Sequence, residues 1–170
     1  MTKWLKSFVL IAAGIGFITT LQIDVAAAAD TVKTRQAVMK ELSAHNKAIG
    51  VYLKGHKNPK REARLGMPGD IELRALAMAS LAKRLPGMFP KGTGLTDMPG
   101  KSYAKPAVWS QSGKFRAAAD TLASWAKDIE QAAATGDKAK IAATMRGFGK
   151  ATCGNCHKTF RMKKPKKKKK

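Results

Sequence analysis

The apolar residues of this chain recur at intervals of three and four, and no stretch of it sustains the alternation of a β-strand. Such spacing stacks side chains along one face of an α-helix and gives a sheet nothing to bury. Val32, Arg35, Met39, Leu42, Asn46, Ile49 and Leu53 form the first seam, on a helix of about 25 residues that Gly55, Asn58 and Pro59 end. A second helix starts near Asp70, carries Met78, Leu81, Leu85 and Met88, and is broken by Pro86 and by Phe89-Pro90-Lys91-Gly92-Thr93-Gly94. The loop that follows runs through Pro99 and Pro106 and is long enough to cover something. A third helix begins around Lys105 to Val108 and bears Phe115, Ala118, Leu122, Trp125 and Ile129. After the turn Thr135-Gly136-Asp137, with Asp137 as N-cap, a fourth carries Ile141, Met145, Phe148 and Thr152 straight into the C-terminal stretch. Four amphipathic helices with mostly short connections predict an all-α fold, an antiparallel four-helix bundle with the apolar stripes meeting inside.

The first 29 residues stand apart from that pattern. Lys3 and Lys6, the apolar run from Leu5 to Ile18 and the small residues Val25 to Ala29 follow the order of a secretory signal peptide. The apolar run is shorter than the ~20 residues a membrane span requires, and Gln22 and Asp24 close it. The expected organisation is therefore a signal peptide over residues 1–28, a helical domain over 29–162 and a basic, disordered tail over 163–170. Export points to the periplasm for the mature protein.

Charge narrows the partners. Lys and Arg number 33 against 11 Asp and Glu, a net +22, and the stretch from Lys158 to the C-terminus holds no acid at all. A surface of this sign attracts acidic proteins, nucleic acid and anionic lipid alike. Nucleic acid is no natural partner for an exported chain, which leaves acidic redox partner proteins and, through the lysine tail, an anionic membrane surface. A run of like charges is also what a merely solvated end looks like, so both readings of the tail stay open.

The two cysteines, Cys153 and Cys156, are separated by two residues and directly followed by His157. On a helix the three side chains share one face within a single turn. That arrangement suits haem c: two thiols joined as thioethers to one porphyrin edge, with the next imidazole on the iron. A redox dithiol lacks its strand and βαβ context here, a zinc site lacks ligands unless His45 or His56 completes it, and a disulfide across two residues of a helix would be strained. The iron has a second axial position, and its occupant separates electron transfer from ligand binding. Met39, on the inward seam of the first helix, is one candidate; Met67, Met78, Met88, Met98, Met145 and Met162 compete with it, whereas His45 and His56 fall off the seam and are expected to be solvated.

At this point the chain resembles the class II c-type cytochromes, meaning cytochrome c prime and its low-spin, methionine-ligated relatives. The resemblance rests on Arg35-Gln36, on Leu85-Pro86 with Phe89-Pro90 and Gly92-Thr93-Gly94, on Trp109, and on Cys153-Gly154-Asn155-Cys156-His157 followed by Phe160-Arg161 near the C-terminus. It implies an up-down-up-down bundle, the architecture known for cytochrome c prime, and it implies that Arg35 and Gln36 lie beside the haem and its propionates. It also implies that the residue four positions after Arg35 faces the iron: a blocking side chain in cytochrome c prime, methionine in the low-spin relatives, and Met39 here. The basic connector 55–69 and the lysine tail have no counterpart expected in the family. The expectation is an electron carrier and not an enzyme, with one haem c ligated by His157 and Met39, and with a homodimer as its family-type assembly. The rival expectation is a five-coordinate haem that binds small gases such as nitric oxide.

Overall fold

The computed structural model describes residues 25–55 and 68–163, and these build four main helices. Residues 1–24 of the signal-peptide stretch, residues 56–67 of the basic connector with His56 and Met67, and residues 164–170 lie outside the described residues. α1 spans Val25–Lys54, five residues longer than the predicted element. It begins ahead of the expected cleavage point, and Ala28 is buried beside Val32 and Met98. α2 spans Pro68–Arg84 and tightens into a 3₁₀ turn over Leu85–Met88, where Pro86 cannot continue the helical hydrogen bonds.

The third helix starts in two pieces. A short α3, Ala107–Ser110, is set off by Gln111 at φ −123°, and α4 then runs from Ser112 to Ala134. α2 and α4 make the most extensive helix pair. Its seam joins Met78, Leu81 and Ile129 with the small residues Ala75, Ala79, Ala82, Ala119, Ala123 and Ala126, which let the two backbones approach. The turn after α4 is as expected: Gly136 takes φ +71°, and the Asp137 carboxylate accepts from the backbone N–H groups of Ala139 (2.8 Å) and Lys140 (3.3 Å).

The fourth helix does not run straight into the cysteines. α5, Lys138–Met145, stops where Arg146 turns extended and Gly147 takes φ +80°, a left-handed step that ends helices. The chain resumes at Phe148, passes through a π-helical turn over Lys150–Gly154, and finishes as α6, Asn155–Phe160. Phe148 is fully buried and meets Trp125 of α4 edge-on at 6.0 Å, so the break leaves the seam intact. His45 also departs from expectation: it is half-buried, with neither ring nitrogen in a hydrogen bond and Nε2 3.7 Å from Glu41 Oε1.

Candidate functional site

One end of the bundle is closed by the segment between the 3₁₀ turn and α3, and its hydrogen bonds explain its fixed path. Leu95 N–H donates to Ala104 (2.8 Å), Gly94 N–H to the Asp97 carboxylate (2.9 Å), and the Trp109 indole N–H to the Phe89 carbonyl (2.9 Å). Gly94 is required for space, since a Cβ there would come 2.9 Å from both Asp97 Oδ2 and the Trp109 ring. Residues 103–105 lie along the end of α6: Lys105 N–H donates to Phe160 (2.9 Å) and Met162 N–H to Tyr103 (2.8 Å), with Ala104 and Arg161 forming an isolated bridge. Beneath this strap Phe89, Phe115 and Phe160 stack edge to face, with centroids 4.7 and 5.2 Å apart.

Arg35 ties α1 to the same loop. Its guanidinium is buried, donates to Thr93 Oγ1 (3.2 Å), the Thr93 carbonyl (2.9 Å) and Ser102 Oγ (2.9 Å), and lies 4.3 Å from the Phe89 ring centroid. Burial pulls its pKa below the ordinary arginine value. Next to it, the Gln36 amide donates to the Lys101 carbonyl at 2.7 Å. Both residues thus anchor the loop, a role that the sequence does not announce because the partners lie about 60 positions away.

Between α1 and the C-terminal limb runs a cleft of two adjoining lobes, about 510 and 230 Å³. Arg35, Gln36, Met39, Cys156 and His157 line the larger one. Met39, Cys153, Cys156 and His157 line the smaller, so the structure brings all six predicted site residues to one place. Among the described residues no carboxylate lines either lobe. The two thiols stand on successive elements: Cys153, in the π turn, packs on the main core with Phe148 and Leu122, while Cys156, on α6, packs on the aromatic cluster of Phe115 and Phe160. Burial, with Cys153 nearby, pushes the Cys156 thiol up to about 11. Burial and then the Arg161 charge pull His157 down, which favours its neutral, iron-binding form.

The competing methionines now separate. Met88 and Met145 sit against the core, Met98 packs with Ala28 and Val32, and Met162 is exposed. Met78 is fully buried but borders the smaller lobe, whereas Met39 borders both. The residues present suit a haem: a largely apolar cleft of cofactor size, two thiols, a neutral imidazole, and a buried cation whose five N–H donors exceed its three bonds.

Comparison with known proteins gives the family. The family model for cytochrome C' matches residues 30–161. A cytochrome c' of Rhodospirillum rubrum is 34% identical over 158 residues, covering 92% of this chain and 99% of that protein. A cytochrome c-556 of Agrobacterium tumefaciens strain B2A is 33% identical over 139 residues, covering 80% of this chain and all of that protein. The crystal structure of cytochrome c' from Rubrivivax gelatinosus superposes with a TM-score of 0.63 at 29% identity, covering 79% of this chain and 97% of that one. The chain belongs to the cytochrome c' family of class II c-type cytochromes. Its members are non-enzymatic haem proteins, and the family implies a c-type haem, with which the two cysteines near the C-terminus agree.

Proposed function

We propose that the chain is an exported, periplasmic monohaem electron carrier. In this reading haem c is held by thioethers at Cys153 and Cys156, with His157 and Met39 as axial ligands. The observation that carries it is that Met39 of α1 and His157 of α6 border both lobes of the cleft. When bound, the haem supplies a reversible one-electron change at iron, and a methionine ligand raises the potential. The chain's own residues do the rest. Phe89, Phe115 and Phe160 exclude water, Arg35 and Gln36 hold the loop and would offer their remaining N–H donors to the haem carboxylates, and His157 would bind iron through a neutral nitrogen. Export is supported by the order of the first 29 residues and by a family that is typically periplasmic; no described helix is long and apolar enough to cross a membrane.

A second reading is favoured by the relatives themselves, since a protein named cytochrome c' matches as well as one named c-556. There Met39 only caps the distal side of an open iron that binds gases. Carbon monoxide titration of the reduced protein separates the two. The electron-carrier reading predicts slow, weak binding limited by loss of Met39 from the iron; fast binding with no ligand displaced supports the gas-binding reading.

A further inference from the structure

The rim of the cleft carries one sign of charge. Lys40 and Arg161 line the larger lobe. Gln36, which also lines it, is bonded to the carbonyl of Lys101; Lys105 Nζ donates to the Lys158 carbonyl at 3.0 Å, and Lys158 follows His157 directly. Lys163 stands two residues beyond Arg161, and of these six all but the partly buried Lys105 are exposed. We propose that this rim is a docking face for an acidic protein partner, formed by Lys40, Lys101, Lys105, Lys158, Arg161 and Lys163. The inference rests on the electron-carrier reading, because the cleft is where that reading seats the haem.

The placement of the carboxylates supports a directed face over a uniformly basic surface. At the loop end, Asp30 is paired with Lys33 at 3.2 Å and Asp97 accepts from Gly94 N–H. Glu41 is turned toward His45. Asp128, Glu130 and Asp137 sit at or near the α4–α5 turn, the end where Lys138 lies 5.3 Å from the Tyr52 ring, and Asp70 and Glu72 open α2. Asp120 is exposed on α4 beside the lobe-lining Ala119, yet none of the described carboxylates lines either lobe, so an acidic body meets cations and no acid at the lobes themselves. A membrane surface fits less well. Insertion into lipid uses exposed apolar side chains, yet among the described residues Leu73 and Leu76, the most exposed large ones, lie on α2, and the rim offers only Met162.

The test is a titration of the haem-loaded full chain with an oligo-glutamate peptide at low salt, read as backbone amide shifts. Two triple variants of equal charge change are compared: Lys101→Glu/Lys158→Glu/Lys163→Glu on the rim, and Lys54→Glu/Lys127→Glu/Lys140→Glu away from it. The expected result is shifts concentrated around residues 101–105 and 158–163, a loss of affinity of roughly 10-fold in the rim variant only, and collapse of the difference at high salt. Equal losses in both variants, or shifts spread evenly over the surface, overturn the proposal. So does a rim variant that keeps the peptide but no longer sediments with phosphatidylglycerol vesicles, which would make the face a membrane contact. An iron with an open sixth position alters the optical spectrum and leaves this titration unchanged, so the two readings fail separately.

Discussion

Arg35 stands where a helix seam should be apolar, and the loop answers for it. Removing the guanidinium takes the donor from the buried Thr93 carbonyl and Oγ1 and leaves Ser102 Oγ only the Ala104 N–H at 3.3 Å, so Arg35→Met should cost about 2–4 kcal/mol in a urea titration of the haem-loaded protein. Ser102→Ala, which removes one acceptor of three, should cost about 1 kcal/mol. Gly94→Ala forces a methyl against Asp97 and Trp109 and should cost about 1–3 kcal/mol, visible as a lower midpoint and altered Trp109 fluorescence. At this scale the sequence was read unevenly. Cys153, Cys156 and His157 declare themselves through spacing, because the chemistry demands neighbours. Arg35 stood out as a charge on an apolar seam, but its partners Thr93 and Ser102 did not, since contacts across about 60 positions leave no local pattern. Met39 and Met78 share helical spacing, and only the cleft distinguishes the one that borders both lobes.

Among the elements, capping was legible and interruption was not. Asp137 follows a turn, directly precedes α5 and does cap it; Asp137→Ala should lower stability by about 1 kcal/mol in the same titration. The break at Gly147 was hidden because Met145, Phe148 and Thr152 keep helical intervals across it. The glycines on either side of Phe148 were the available signal. Gly147→Ala at φ +80° should cost about 1 kcal/mol or more and disturb the haem environment, because the step sets how the π turn presents Cys153. The two-piece start of the third helix was missed for a related reason: Gln111 is neither glycine nor proline, and its departure follows from the strap that pins Lys105 to Phe160.

For the molecule as a whole, four seams sufficed to place four helices, because each apolar stripe has to meet another and short connections leave few topologies. The closure of the cleft depends instead on loop hydrogen bonds that no periodicity encodes. Charge acts at this scale too. If the lysine tail assists encounter, ending the chain after Lys163 should flatten the salt dependence of oxidation of the reduced protein by hexacyanoferrate(III) between low and high ionic strength. An unchanged slope would assign steering to the cleft rim alone.

The most direct test of the account is the optical spectrum of the mature haem protein, oxidised and reduced, beside those of Met39→Ala and Met78→Ala. The account predicts a low-spin spectrum with a weak long-wavelength sulfur-to-iron band that is lost in Met39→Ala and kept in Met78→Ala. A high-spin spectrum indifferent to Met39→Ala would contradict it and assign the cleft to gas binding.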